Sequence, residues 1–281
     1  MILLCAPLLP AADFSGAGAL ESTRRIVALG PRPSGSPAHR KMQAEIFREL
    51  GQCGCQVQQV DFTAAAPDGP VKMKNIVAKF DGSSGRIVVI SGHYDTKVFP
   101  AFPFVGANDG GASAGFLLEM ARALRGRSLR DAVWLVWFDG EEAIREWSAT
   151  DGLYGSRHMA QVWSGDGTLS RVKALINVDM IGDENLGILK ESTSTRWLRE
   201  LIWKTAQDRG YGKYFLQRGG GTEDDHAPFL RMGVPAVDLI DFDYGPGNSY
   251  WHTSQDTVDK LSTHSFQVVG EVLLEVLNRL P

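Results

Sequence analysis

Apolar and polar residues along the chain follow two spacings, one typical of helices and one typical of strands. After a Ser-Pro start signal, Met42, Ile46 and Leu50 recur every four residues until Gly51, which predicts a helix beginning at Pro37. Further helices are predicted over residues 110–124, 154–162, 195–208, 225–232 and 262–280. Apolar runs predict strands over residues 56–62, 75–80, 86–93, 132–138, 172–178 and 234–240.

The order of these elements predicts the class of fold. Strands alternate with helices, and neither an internal repeat nor a linker divides the chain. Such an order predicts an α/β fold, a single domain in which helices flank a central, mostly parallel mixed β-sheet. Three long irregular stretches are expected to carry function, because long loops in compact domains usually do. They cover residues 96–108, 181–192 and 241–253.

The first twelve residues differ from the rest of the chain. They are apolar and end in small residues, as the hydrophobic region and cleavage site of a signal peptide do, but no basic region precedes them. We interpret residues 1–12 as a candidate signal-peptide remnant and residues 13–281 as the catalytic domain. This interpretation predicts a periplasmic or secreted protein and leaves a cytoplasmic location open. No apolar run reaches the roughly 18 to 20 residues that span a bilayer.

Composition excludes several classes of protein. The chain has 29 Lys and Arg residues against 33 Asp and Glu residues, a net charge of −4, without a basic block. A nucleic-acid-binding protein would carry such a block, so nucleic acid is not an expected partner. The 3 cysteines are too few for a disulfide scaffold or a zinc cluster.

Acidic residues and histidines follow the ends of several predicted strands. In open α/β sheets ligands bind beyond the carboxyl ends of the strands, so these side chains are expected to converge on one crevice. Asp109, which opens a predicted helix, and His252, in the last long loop, are added to the same group. The strand-end residues are His93, Asp95, Asp139, Glu141, Glu142 and Asp179.

Several carboxylates at one place repel one another unless a proton or a cation lies between them. Zinc accepts imidazole nitrogen together with carboxylate oxygen, and a catalytic zinc keeps one position open beyond three protein ligands. The sequence therefore predicts a catalytic zinc site. His39, His158 and His264 lie in or near helical patterns and are expected to face solvent or to make local hydrogen bonds.

Two loop tryptophans lie beside these candidates. Trp147 follows the acidic pair and Trp251 precedes His252, so each could cover the core or form a wall of a substrate pocket. By contrast, Trp134 and Trp137 lie within a predicted strand and are expected in the core.

Residues 111–115, Gly-Ala-Ser-Ala-Gly, match the nucleophile elbow of serine hydrolases. That motif needs a strand directly before it, and a glycine-rich loop stands there instead. Small residues that pack a helix against the sheet are the better interpretation of this segment.

Five stretches of the chain carry motifs in register: residues 92–97 with Phe99, 138–143 with Trp147, 151–158, 223–231 with 233–235, and 251–253. These stretches resemble the M28 family of zinc-dependent exopeptidases and, within it, the glutaminyl-peptide cyclotransferases. The resemblance runs from about Arg25 to Leu261. Asn108 before Asp109 is closer to the aminopeptidase form of that loop.

The resemblance implies a zinc-exopeptidase-like, phosphorylase/hydrolase-like fold and one zinc ion bound by Asp109, Glu142 and His252. The side-chain amide of an N-terminal glutamine would meet that zinc, and the substrate's own amine would displace ammonia to form pyroglutamate. Glu141 would transfer the proton as general base and acid. The expected partners are thus peptides or proteins with N-terminal glutamine, and a monomer is expected.

Four further residues receive roles from the same resemblance. Asp179 and Asp224 would hydrogen-bond with Glu141 or the reacting groups. Trp147 and Trp251 would form the wall of the pocket and keep bulk water from the amide.

The alternative function uses the same residues in a two-zinc aminopeptidase. His93, Asp109 and Asp179 would bind one zinc ion, and Asp109, Glu142 and His252 the other. Glu141 would then activate a bridging water to cut the first peptide bond.

Overall fold

A computed structural model describes residues 13–281 of the chain, so the candidate signal segment at residues 1–12 lies outside the described residues. This part holds six strands and seven α-helices. The strands are β1 (Gln56–Ala66), β2 (Gly69–Phe80), β3 (Ile87–His93), β4 (Ala132–Phe138), β5 (Val172–Asp179) and β6 (Ala236–Ile240). The helices are α1 (Gly16–Val27), α2 (Pro37–Leu50), α3 (Gly111–Leu124), α4 (Tyr154–Gly165), α5 (Arg196–Asp208), α6 (Ala227–Arg231) and α7 (Thr263–Arg279).

All six strands form one mixed sheet with the order β1-β2-β4-β3-β5-β6. Strands β4, β3, β5 and β6 are parallel neighbours, whereas β1 and β2 form an antiparallel hairpin whose second strand pairs with β4. The predicted α/β fold with a mostly parallel mixed sheet is thus confirmed. Strands β3, β4 and β5 are buried on both faces, which explains why they appear in the sequence as continuous apolar runs.

All of the predicted elements are present, and the main differences concern the β1–β2 hairpin, the start of α6 and the additional helix α1. The hairpin strands are longer than predicted and meet at a tight turn in which Gly69 adopts a φ of 115°. Helix α6 begins at Ala227 instead of residue 225. Helix α1 was not predicted, because its buried positions are mostly small or polar and its glycines lower helix propensity.

The glycines of α1 and α3 permit close helix packing. A Cβ atom on Gly115 would lie 2.2 Å from the Thr23 hydroxyl oxygen of α1, and one on Gly16 would lie 2.1 Å from the Thr263 carbonyl oxygen of α7. Gly115 therefore packs α3 against α1, whereas Ser113 of the same segment packs against Gly92 of β3, so small residues do bring this helix close to the sheet as predicted. Trp137 is in the core as expected and donates a hydrogen bond from its indole to the Ala114 carbonyl.

None of the helices among residues 13–281 is long and apolar enough to cross a membrane.

Candidate active site

The carboxyl ends of the parallel strands meet at one edge of the sheet and bring the candidate residues together. Three of them, Asp109, Glu142 and His252, place one ligand atom each within 4.8 Å of one another. The Nε2 atom of His252 lies 3.2 Å from an Asp109 oxygen and 3.2 Å from a Glu142 oxygen. His252 adopts a φ of 55°, a conformation that is uncommon for a residue other than glycine and that clusters at functional sites.

A second group shares Asp109 with the first. His93, Asp109 and Asp179 also place ligand atoms within 4.8 Å of one another, and all three are buried. The His93 Nε2 atom lies 3.2 Å from Asp109 Oδ1 and 3.3 Å from Asp179 Oδ1. Asp109 therefore directs one carboxylate oxygen toward each histidine, as a ligand shared by two metal positions would.

The donor atoms of these two groups fit a cation. His93 Nε2, Asp109 Oδ2 and Asp179 Oδ1 are buried, and none of them makes a hydrogen bond. Buried polar atoms are normally satisfied, so unsatisfied atoms in both groups indicate a partner that accepts electron pairs. Imidazole nitrogen and carboxylate oxygen are zinc ligands, and the set fits zinc.

Burial and mutual attraction shift the titration of the site residues in opposite directions. Burial disfavours a charge on His252, but the neighbouring carboxylates of Asp109 and Glu142 outweigh burial and raise its pKa to about 10. Burial raises the pKa of Asp179 to about 7, with His93 opposing it. Burial also raises the pKa of Glu141 well above the usual range, and His93 again opposes it. Glu141 is thus a carboxyl group that holds a proton more tightly than an exposed glutamate does.

Two buried aspartates hold the loops that carry the site. The carboxylate of Asp95 accepts hydrogen bonds from the backbone N–H groups of Glu141 (3.1 Å) and Glu142 (3.3 Å). The carboxylate of Asp256 accepts those of Asn108 (2.8 Å) and Asp109 (3.2 Å). Sequence reasoning missed Asp256, because a single aspartate in a loop carries no spacing signal.

Arg32 also supports the loop that carries Asn108 and Asp109, and it is the only buried Lys or Arg among residues 13–281. Its guanidinium donates hydrogen bonds to the carbonyl oxygens of Gly30, Val105 and Gly106. Burial lowers its pKa to about 10, while Asp256, Asp95 and Asp109 oppose this effect. Arg32 therefore supplies a fixed positive charge close to the buried carboxylates.

The site opens into a cavity of about 650 Å³. Trp251 stacks on the His252 ring with centroids 4.1 Å apart and contacts the Phe242 ring with centroids 4.8 Å apart. Trp147 is 44% exposed and borders the cavity at its mouth. Asp224 is buried and borders the same cavity.

The loop that carries Asp224 is tied down by Glu191, a buried residue that sequence reasoning missed. The Glu191 carboxylate accepts hydrogen bonds from the backbone N–H groups of Thr193 (2.7 Å), Ser194 (2.6 Å) and Thr222 (3.2 Å). It also lies 3.6 Å from the imidazole Nε2 of His226. Glu191 thus joins residues 191–194 to the segment on which Asp224 lies.

Glu191 provides a prediction about stability in acid. Burial alone would raise its pKa, but the nearby His226 imidazole and hydrogen bonds from Ser194 and the backbone outweigh burial and lower the pKa to about 2. A carboxyl group whose folded-state pKa is depressed stabilises the fold above its unfolded pKa of about 4.3 and loses that effect toward the folded value. We therefore expect Glu191→Gln to lower the melting temperature at pH 7, with the difference from wild type shrinking between about pH 5 and pH 2.

The measurement is thermal unfolding followed by circular dichroism across that pH range. Glu21→Gln, an exposed substitution on α1, is the matched control and should shift the melting temperature little at any pH. A difference in melting temperature between Glu191→Gln and wild type that stays constant with pH would contradict the lowered pKa of Glu191.

Asp139, which was expected in the crevice, and Ser113 of the elbow-like motif both lie in other surroundings. Asp139 is turned away from the cavity: its carboxylate accepts hydrogen bonds from the Ser34 hydroxyl (2.6 Å) and the Lys74 backbone (2.7 Å). Its inclusion in the converging group was wrong, because the chain turns after β4 and only Glu141 and Glu142 point back to the cavity. Ser113, the candidate elbow serine, is buried and donates its hydroxyl to the His93 carbonyl, so it supports β3 and is no exposed nucleophile.

The three histidines set aside from the sequence do not join the site. His39 is buried, where it stacks on Tyr94 and makes a local contact with Gln43. His158 stacks on Phe62, and His264 pairs with the Tyr214 hydroxyl.

The chain is similar to known proteins of one family. The model of peptidase family M28 matches residues 75–277. A glutaminyl-peptide cyclotransferase-like protein of Bos taurus is 34% identical over 272 residues, which cover 86% of this chain and 70% of that protein. The crystal structure of a glutaminyl cyclase from an Acidobacteriales bacterium is 39% identical, with a TM-score of 0.90 over 99% of both chains.

A further similar structure is that of an exopeptidase. The crystal structure of a Zn-dependent exopeptidase from Parabacteroides distasonis is 28% identical, with a TM-score of 0.85 over 95% of this chain and 99% of that chain. This chain belongs to peptidase family M28 and, within it, to the family of glutaminyl-peptide cyclotransferases.

Proposed function

We propose that the protein converts the N-terminal glutamine of peptides to pyroglutamate with release of ammonia. The observation that carries the proposal is the position of Glu141. Its carboxyl group is buried beside the Asp109, Glu142 and His252 group, borders the cavity, and makes no side-chain hydrogen bond that would commit it to the fold. The named relatives support the same substrate.

In this proposal Asp109, Glu142 and His252 hold one zinc ion. When bound, zinc supplies Lewis acidity toward the side-chain carbonyl oxygen of the substrate. Glu141 takes a proton from the substrate's α-amine, whose nitrogen forms a bond with the amide carbon. The bond from that carbon to the amide nitrogen breaks, and Glu141 returns the proton to the nitrogen that leaves as ammonia.

Other residues of the cavity orient the substrate and exclude water. Asp179 and Asp224 border the cavity beside Glu141 and can accept hydrogen bonds from the amine and the amide NH₂ group. Trp251, stacked on His252, forms an apolar wall, and Trp147 covers the mouth. Excluding bulk water from this volume favours attack by the amine over hydrolysis of the amide.

A two-zinc aminopeptidase is the second candidate, and a specific observation favours it. The His93, Asp109 and Asp179 group has the spacing of a second metal position next to the first. Glu141 would then activate a water molecule instead of the substrate amine.

The test uses the zinc-loaded protein with a glutaminyl and a leucyl fluorogenic peptide. We expect ammonia release from the glutaminyl peptide, no cleavage of the leucyl peptide, and close to one zinc ion per chain by metal analysis. Leucyl hydrolysis without pyroglutamate formation would overturn the proposal in favour of the aminopeptidase. Two zinc ions per chain would support the second candidate.

A further inference from the structure

An exposed run of apolar residues lies next to the cavity. Residues 98–104, which we name the apolar rim, have the sequence Val-Phe-Pro-Ala-Phe-Pro-Phe. All of them except Phe104 are at least partly exposed, and Val98 is 54% exposed. Soluble proteins rarely leave consecutive apolar residues in water unless the surface binds something.

The apolar rim is continuous with the candidate active site. Lys97, directly before it, borders the cavity and lies 3.8 Å from the Glu142 carboxylate. Phe99 and Phe104 contact the His252 ring edge-on, with centroids 5.3 Å and 5.7 Å away. Phe102 stacks on Phe99 at 4.9 Å and extends this aromatic surface away from His252.

The rest of the cavity mouth differs in chemistry. Arg145, Glu146 and Glu223 border the cavity and are exposed, so that part of the mouth is charged. An extended peptide advances about 3.5 Å per residue. The residues that follow a first residue bound beside His252 are therefore within reach of the rim.

We propose that the apolar rim binds the second and third residues of the substrate peptide and selects peptides with an apolar or aromatic residue after the N-terminal glutamine. This inference rests on the proposed function and adds its substrate class. Continuity with the site favours a substrate over other occupants of the rim. Lys97 is the only basic residue within residues 97–108, so the rim lacks the cluster of Lys and Arg that would hold an anionic lipid surface.

The experiment measures kcat/KM for ammonia release from Gln-Phe-Ala-amide and Gln-Gly-Ala-amide. We expect the phenylalanine peptide to be favoured by about tenfold or more in wild-type protein, the range that one apolar group contributes in a binding pocket. In Val98→Ser this preference should fall by about threefold, because the side chain covers only part of the bound residue. Val98→Asp should raise the relative kcat/KM of Gln-Lys-Ala-amide through attraction between opposite charges.

Val57→Ser is the matched control, since Val57 is an exposed valine on β1 outside the cavity lining. It should keep the wild-type preference. Equal kcat/KM values for all peptides in wild type and Val98→Ser would overturn the rim as a subsite while leaving the proposed function standing. Absence of ammonia from every glutaminyl peptide would overturn both.

Light scattering tests whether a second copy of this chain, and not a substrate peptide, covers the apolar rim. A monomer in both wild type and Val98→Asp supports the proposal. A dimer that Val98→Asp dissociates would mean that a second copy covers the rim, and would overturn the proposal.

Discussion

Replacing Glu141 by glutamine is expected to lower kcat for pyroglutamate formation by about a thousandfold while zinc stays bound. General acid–base catalysis by a positioned group contributes about 10²- to 10⁴-fold, and an amide cannot take the proton that the reaction moves. Glutamine keeps the size of the side chain, so the buried surroundings persist. Glu141 belongs to neither candidate metal-binding group, so its loss leaves both sets of ligands intact.

The measurement combines ammonia release with metal analysis of the purified variant. Glu146→Gln is the control, because Glu146 borders the same cavity but is exposed to solvent. It should retain kcat within a few-fold. Survival of near-wild-type activity in Glu141→Gln would show that another group transfers the proton.

Glu142→Ala is expected to weaken zinc binding by more than about a hundredfold and to abolish activity in zinc-limited buffer. Loss of a partner that only orients a ligand already costs about 10- to 100-fold in metal affinity, so loss of the ligand itself costs more. The zinc dissociation constant, measured by competition with a chromophoric chelator, checks the expectation directly. Unchanged zinc affinity would remove Glu142 from the ligand set.

His93→Ala is the matched variant, because His93 belongs to the second group and not to the first. In the one-zinc proposal, His93→Ala retains zinc with close to wild-type stoichiometry, while Glu142→Ala loses it. In the two-zinc alternative, wild type binds two ions and each variant loses one of them. The pair of variants therefore decides the stoichiometry and, with it, the chemistry.

The parts of the site that could be predicted are those that follow strands. His93 and Asp179 end β3 and β5, and Glu141 and Glu142 come shortly after β4. Parallel strands end at the same edge of a sheet, so the periodicity of the chain indicates convergence before any distance is known. The direction of the Asp139 side chain, which follows β4 directly, could not be predicted in this way. A change in backbone direction over one residue after a strand decides whether a side chain points into the cavity or away from it.

The supporting residues could not be predicted for a different reason. Arg32, Glu191 and Asp256 each make at least one hydrogen bond to a backbone atom that is distant in the chain, and Asn108 and Asp256 are separated by 148 residues. Such partners leave no local spacing, and an isolated charged residue in a loop is usually solvated. Only burial, which the packing decides, distinguishes these residues from ordinary surface charges.

By itself, the sequence determined the α/β class, the order of strands and helices, and the small set of acidic residues and histidines from which a metal site could be formed. The tertiary structure decided how these residues group. It shows Asp109 between two histidines, Asp139 outside the cavity, and an apolar rim beside His252. The physical reason is that periodicity reports which face of an element is buried, whereas ligand geometry depends on where separate loops meet.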